Sequence, residues 1–418
     1  MSGQGEIVVT GLGVASPIGI GADAFWRSLV AGTSGVALST ALESPLLPRW
    51  LAAEVRDFDP LAFVTPRKSL KVMARDSQLA LAAARLAREH AAATGETFDP
   101  DRLATVFGAD TINPVLEDSA QTYGPCVSGG EFHFERWTTD GMPRTYPLNM
   151  LKLLPNMLTC HVSIAQDARG PNNTIYQGDV SGLLALAEAA SVVERGMADA
   201  VLTGGASSRM RPLDWDRSEL VFELSRRIDD PGAASRPFDA DRDGQVRAEG
   251  SACLLIENRR HALARGATVL ARLAGWGSSC DLPGEQLGRG LERAIGFALA
   301  RAGLKPSDVG HVNAHGLSTV ADDQIEARAL NAVLPGVPLT APKSYFGNLG
   351  AAAGAIETMV SVLALANNLV PPTLNHRRTD PACPVTVLRE PLAGTKPVAV
   401  VVNRAIGGQA AALVLTAA

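Results

Sequence analysis

The sequence predicts an α/β protein whose sheets are covered on both faces, and two observations carry that prediction. Short, wholly apolar strands such as ADAVLTGGA (Ala198 to Ala206) and PVAVVVN (Pro397 to Asn403) alternate with alanine-rich helical stretches. Strands that read as unbroken apolar runs are those buried on both sides. At 418 residues the chain also exceeds the ~250–300 at which one hydrophobic core stops growing, so two packed halves are expected.

In chain order, EIVVTGLGVASPIG (Glu6 to Gly19) is a β-rich run closed by proline and glycine. DSQLALAAARLAREHAAA (Asp76 to Ala93) has helical composition, with Asp76 placed to cap its N-terminus. GPNNTIYQGDVSGLLALAEAASVVERGMADAVLTGGAS (Gly170 to Ser207) reads as a strand, a sharp turn, a helix and a second strand. Asp179 opens that helix, where an aspartate is also a good N-cap. In the second half VGHVNAHG, GVPLTAPKS and PVAVVVN are strands, alternating with helices at Leu291 to Ala302, Asp322 to Val333 and Gly354 to Ala366. No low-complexity linker divides the chain and no internal repeat is visible by eye. The halves are expected to be residues 1–258 and 259–418, because a strand ending at Glu257 gives way to the short charged helix NRRHALARGA.

Composition excludes several classes. With 46% hydrophobic and 19% charged residues and a mean hydropathy of +0.09, this is an ordinary globular protein rather than a disordered one. No apolar run approaching the ~18–20 residues of a membrane span is apparent, and MSGQGEIVVTG lacks the features of a signal peptide, so a cytoplasmic location is expected. A net charge of −5 argues against nucleic acid as a partner. The five cysteines, Cys126, Cys160, Cys253, Cys280 and Cys383, are widely spaced without C-x-x-C, and read as core residues in a reducing compartment rather than as disulfides or a metal site.

Five blocks in one order carry a resemblance: IVVTGLGVASPIG at the start, the Gly170–Ser207 segment, LSRRIDDPGAASRPFDADRDGQVRAEGSACLLIE (Leu224 to Glu257), HVNAHGLSTVADDQIEARAL (His311 to Leu330) and APKSYFGNLGAAAGAIE (Ala341 to Glu357). Together they resemble the β-ketoacyl synthases, the condensing enzymes of fatty acid and polyketide assembly. The resemblance implies a thiolase-like fold, two similar βαβαβαββ halves stacked as five αβαβα layers, and a dimer. It also implies an acyl carrier protein as partner and no cofactor beyond the 4′-phosphopantetheine arm that carries the substrate.

Residue by residue, the resemblance puts Asp179 where the family has its cysteine, His315 where it has its first catalytic histidine, and Asn348 where it has the second. Lys343 and Glu326 match the supporting lysine and carboxylate, and are expected to form a buried ion pair. Leu317 and Thr319 fall where the family contacts pantetheine. Arg404, Ala405, Ile406, Gly407 and Gly408 stand in place of its gating FGFGG. A histidine and asparagine pair is similar to the donors of the ketoacyl synthase III and chalcone synthase branch. Asn348 in FGNLG has an alternative reading as a turn residue with positive φ.

The chemistry is affected unevenly. Condensation begins with a thiolate at a helix N-terminus that takes the acyl chain. A carboxylate is a weak nucleophile, and the mixed anhydride it would form hydrolyses readily. Decarboxylation of a malonyl thioester needs only donors on the thioester oxygen, which His315, Asn348 and the backbone N–H groups of Asp179 and Ile406 could supply. An ionised Asp179 would oppose that, since like charges at 4 Å repel by ~4 kcal/mol at an effective dielectric of 20. Asp179 is therefore expected to be protonated, displaced, or paired with His315.

Three functions follow. One is a chain-length-factor-like subunit, non-condensing, in a heterodimer with a cysteine-containing ketosynthase. The second is a homodimeric malonyl-carrier decarboxylase, or a thioester hydrolase using Asp179 and His315; family decarboxylases of this kind carry glutamine at the elbow, and Gln177 lies two residues too early. The third, a condensing enzyme using another thiol, fails on placement, because no other cysteine falls in a motif that would bring it to the elbow, with Cys160 alone left open. Among the remaining residues, His161 and His311 are read as structural, and Gly130 to Pro147, with His133, as a capping hairpin or a substrate contact. The basic stretch Arg67 to Arg75, with Arg209 and Arg211, is read as a solvated face or a docking patch for an acidic carrier.

Overall fold

The computed structural model describes residues 5–40, 49–93 and 97–418. The first half runs β1 (Ile7–Ser16), α1 (Arg75–His90), β2 (Leu103–Gly108), α2 (Met157–Gln166), β3 (Asn172–Ile175), α3 (Ser181–Glu194), β4 (Ala200–Ser208) and β5 (Arg247–Asn258). The second runs β6 (Ala271–Cys280), α4 (Arg289–Ala302), β7 (His311–Asn313), α5 (Val320–Val333), β8 (Pro338–Thr340), α6 (Ala353–Asn367), β9 (Val398–Arg404) and β10 (Gln409–Ala417).

The strand order is β3-β2-β4-β5-β1 in the first half and β8-β7-β9-β10-β6 in the second. In each, the strands that follow crossover helices pair in parallel and the last two pair antiparallel. The sequence does not show this repeat by eye, because what repeats is strand order and helix placement. The two sheets meet where β1 pairs with β6, Ile7 opposite Leu273.

Three apolar cores account for five layers. One lies between the first sheet and α1 and α2, with Ala83, Phe107 and Leu158. Another lies between the second sheet and α4 and α5, with Ile295, Leu330 and Val400. The largest lies between the sheets and holds α3 and α6, through Leu183, Leu186, Ile356 and Val360. The α/β class and the five-layered thiolase-like arrangement are thus as expected.

Two readings are corrected. The stretch Gly350–Asn367 is an 18-residue helical run apolar enough to span a bilayer, although the sequence reading saw none; it is 78% buried and forms the central layer. Its alternation of small and apolar residues hides its length as a hydrophobic run. Asp76 lies inside the first turn of α1, whose N-cap is Ala74. The Asp76 carboxylate instead accepts from the Ser208 N–H (2.6 Å) and from Arg211 (2.7 Å) across the sheet end.

Candidate functional site

The site forms where the C-terminal ends of parallel strands from both halves converge, the usual position for ligands in α/β sheets. After β3 the chain reverses at Gly178, whose φ of +60° favours glycine. A single 3-10 turn, Gly178–Val180, leads into α3. Ser181 locks this elbow: its hydroxyl donates to the Gly178 carbonyl (2.6 Å) and accepts from the Gln177 N–H (2.8 Å).

Asp179 therefore stands at the mouth of α3 with its side chain 15% exposed. It does not cap the helix. Val180 occupies the cap position, and no side-chain capping bond is made there. The carboxylate turns inward: Oδ1 accepts from Arg209 Nη2 at 3.2 Å and Oδ2 from Asn348 Nδ2 at 2.9 Å. Of the three expected alternatives, a hydrogen-bonded pair with His315 is not formed, since His315 Nε2 lies 3.8 Å from Oδ2, beyond hydrogen-bond reach.

His315 follows β7, on a turn made by Gly316 (φ +50°). Its Nδ1 faces two donors, Lys343 Nζ at 2.9 Å and Asn403 Nδ2 at 3.0 Å. Nδ1 must then be the acceptor, which puts the ring proton on Nε2, facing Asp179. Burial first, and then the charges of Lys343 and Arg404, push the imidazole well below its usual range. His315 is thus a neutral N–H donor at physiological pH.

Lys343 and Glu326 do not pair as expected. Both Glu326 oxygens are taken by backbone, from the His315 N–H (2.6 Å) and the Gly316 N–H (2.8 Å). Burial pushes its carboxyl up to about 8 against those bonds. Lys343 pairs with Glu357, one turn into α6, and donates to the His315 carbonyl at 2.8 Å. Both residues hold the histidine, one by its backbone and one by its ring.

Asn348 lies between β8 and α6. The positive φ of this turn belongs to Gly347 (+68°) and not to Asn348. The Asn348 amide is oriented by its partners: Oδ1 accepts from the Gly350 N–H (3.1 Å), while Nδ2 donates to Gln245 (2.8 Å) as well as to Asp179. Asn348 and His315 therefore present two neutral donors to one region, and Asp179 Oδ2 already sits in it.

The flanking residues are placed as follows. Thr319 caps α5, exchanging hydrogen bonds with Asp322. Leu317 is half-buried on the loop before it. Arg404 ends β9 almost buried, its guanidinium on Asp322 (3.0 Å) and Asp281 (3.5 Å). The β9–β10 turn then carries Ile406, 66% exposed, with Gly407 and with Gly408 at φ +87°. Ala405 packs over Gly178, which brings this turn to the elbow.

Sequence reasoning missed Arg209 and Asp110. Arg209 at the end of β4 grips Asp110, beyond β2, through Nε (2.7 Å) and Nη2 (2.8 Å) while it also holds Asp179. Burial alone would lower the guanidinium; the two carboxylates outweigh it and raise it. Asp110 also accepts from Ser207 (2.9 Å) and the Ala351 N–H (3.1 Å). The reading of Arg209 and Arg211 as a solvated face is thereby corrected, since both are enclosed in ion pairs. The only signal was an arginine directly after an apolar strand that ends beside the elbow. Arg67, Lys68 and Lys71, by contrast, are exposed. The Gly130–Pro147 segment begins with half of a two-stranded hairpin, Val127–Ser128 with Glu131–Phe132, and continues as helical turns. All five cysteines are free, and no cluster able to hold a metal occurs among the described residues.

Comparison with known proteins agrees with this frame. Residues 4–262 match the family model "Beta-ketoacyl synthase, N-terminal domain" and residues 270–377 match "Beta-ketoacyl synthase, C-terminal domain". The chain is 35% identical over 395 residues to the 3-oxoacyl-[acyl-carrier-protein] synthase 2 of Coxiella burnetii, covering 90% of each. Among solved structures it is similar to the ishigamide ketosynthase/chain length factor, with TM-score 0.87, 27% identity and full coverage of both chains. It is also similar to a chain of a complex described as a type II PKS acyl-carrier protein with its ketosynthase, with TM-score 0.84, 27% identity and full coverage of both chains. With both family models matched in order over most of its length, the chain belongs to the β-ketoacyl synthase family.

Proposed function

We propose that this chain is a non-condensing member of its family, acting on or alongside acyl thioesters borne by an acyl carrier protein, in the manner of a chain-length factor beside a cysteine-containing ketosynthase. The observation that carries this is Asp179 at the elbow, fixed there by Arg209 and Asn348; in this reading it takes the place of the family's cysteine. A carboxylate with both oxygens engaged is a poorer nucleophile still, because attack would first have to break those bonds. The partner is inferred from similarity to the ishigamide ketosynthase/chain length factor, and the carrier from similarity to the complex that contains one.

One observation favours a second reading, a malonyl-carrier decarboxylase. His315 Nε2–H and Asn348 Nδ2–H face a common acceptor position, as enolate stabilisation requires. In this reading Asp179 Oδ2 occupies that position, and Asp179 must move or be protonated before a thioester oxygen enters. Arg209 offers the displaced carboxylate a place to remain. Hydrolysis by an Asp179–His315 pair is not favoured, because the histidine's free nitrogen bears a proton and its acceptor nitrogen is already occupied.

The test is mass spectrometry of malonyl-loaded and acyl-loaded carrier protein incubated with the pure chain, with Asp179→Ala and His315→Ala alongside. Intact substrates, with product appearing only when a cysteine-containing ketosynthase is added, support the partner subunit. Acetyl-carrier formed by the chain alone and lost with His315→Ala supports the decarboxylase. An acyl group covalently held by the chain itself overturns both.

A further inference from the structure

Next to the elbow lies a cavity of about 210 Å³ lined by both arginines and carboxylates. Asp110, Asn113, Arg209, Asp214, Arg217 and Arg247 are among its lining residues. Arg209 is committed to Asp110 and Asp179. Asp214 is committed to Asn113 Nδ2 (2.6 Å) and the Arg211 N–H (3.2 Å). Arg217, at the rim, is exposed.

Arg247 is different. It is only 5% exposed, and its guanidinium makes no hydrogen bond or ion pair with any described residue. Its Nε is enclosed and unpartnered. Trp215 lies against it, its ring centroid 5.8 Å from the guanidinium carbon and stacked on Trp50 at 5.2 Å, while Asp214, Asp110 and Asp179 attract the charge from a distance without bonding it. A cation–π contact compensates a buried guanidinium poorly, because the quadrupole of a ring replaces neither a carboxylate nor the five hydrogen bonds the group donates in water. Buried charges without partners are costly, and proteins retain them where a ligand completes them. Burial and the neighbouring Arg209 push Arg247 down to about 9, which still leaves it charged at neutral pH.

The room suits a small anion. A single water needs roughly 10–15 Å³ of such space, so about 210 Å³ holds a carboxylate and a short carbon chain. The planar guanidinium matches a carboxylate in two-pronged geometry. The position is defined too: Arg209, which lines the cavity, also touches Asp179.

We propose that Arg247 is the anchor of a carboxylate-binding subsite beside the elbow, filled by the free carboxylate of a short dicarboxylic acyl group. The same chemistry is offered by an acidic side chain of a second copy of this chain. The inference does not depend on whether the chain condenses, because it concerns binding alone.

The experiment is calorimetric titration of the full chain with glutarate, and with dimethyl glutarate as the neutral control, for wild type, Arg247→Met and Arg247→Lys. Sedimentation of each variant runs in parallel. Methionine keeps most of the side-chain volume, lysine keeps the charge, and thermal unfolding verifies that both variants fold. The expected result is that glutarate binds and its diester does not, that Arg247→Met weakens binding at least tenfold, that Arg247→Lys weakens it less, and that sedimentation is unchanged. If glutarate does not bind but Arg247→Met, and not Arg247→Lys, weakens self-association at least tenfold, the carboxylate comes from a second copy. Folded variants indistinguishable from wild type in both arms overturn the proposal.

Discussion

Replacing Arg209 by methionine should remove the cation that is hydrogen-bonded to both Asp110 and Asp179. Asp110 has a side chain 9% exposed and Asp179 one 15% exposed, and the two lie on the same guanidinium. Breaking a buried pair by deleting one partner costs about 3–5 kcal/mol. Two features reduce that here. Asp110 retains the Ser207 hydroxyl and the Ala351 N–H, and Asp179 retains Asn348 and some contact with water. The expected loss is therefore about 2–4 kcal/mol, consistent with the ~4 kcal/mol of Coulomb attraction at 4 Å and an effective dielectric of 20. Urea unfolding of wild type, Arg209→Met, Asp110→Asn and the double variant reads it as a cycle, in which the double variant should be more stable than the sum of the singles implies, by at least about 1 kcal/mol. Arg209→Met within about 0.5 kcal/mol of wild type would refute the placement of this ion pair at the centre of the site.

Other outcomes follow from the same geometry. Asp179→Asn removes the charge that occupies the donor region of His315 and Asn348, so malonyl-carrier decarboxylation should rise at least tenfold over the unmodified chain in the carrier assay. The His311 imidazole is pushed down to about 4 by burial, below its unfolded value near 6.5. A histidine so depressed stabilises the fold fully above pH 6.5 and loses that contribution as pH falls toward 4, so stability should drop by about 3 kcal/mol across this window, read by urea unfolding of wild type against His311→Gln. His315 should keep its neutral Nε2–H tautomer through the range near pH 6.5 where an ordinary histidine titrates, which long-range nitrogen–proton NMR of the ring detects. A β-carbon at Gly182 would lie 2.8 Å from the Ala351 carbonyl; Gly182→Ala should therefore cost about 1–3 kcal/mol by overpacking the contact of α3 with α6, measured by thermal unfolding.

How much of this the sequence shows depends on the length scale of each signal. Alternating apolar strands and alanine-rich helices report layers directly, so the α/β class and most helices of the second half are legible. The elbow is legible too, since glycine at the turn and a small-residue helix after it are local features. What is not legible is pairing across the sheet ends. Asp179 reads as a helix cap because its neighbours in sequence say so, yet its partners lie 30 and 169 positions away. Lys343 reads as the partner of Glu326, but Glu357 lies one turn along the adjoining helix and takes it. Arg209 and Arg211 look like surface charge because arginine usually is; only the fold shows that the end of β4 carries them inward.

The central layer has a consequence for how the chain can be divided. Helix α6 belongs to the second half by sequence, yet it packs on α3 and lies mostly buried between two sheets. Cut in the stretch between β5 and β6, neither fragment retains its own cover: each would present one face of a sheet and one bare apolar helix to water. The fragments should thus be insoluble apart and recover a folded complex only when made together, a complementation in which each serves as the other's chaperone.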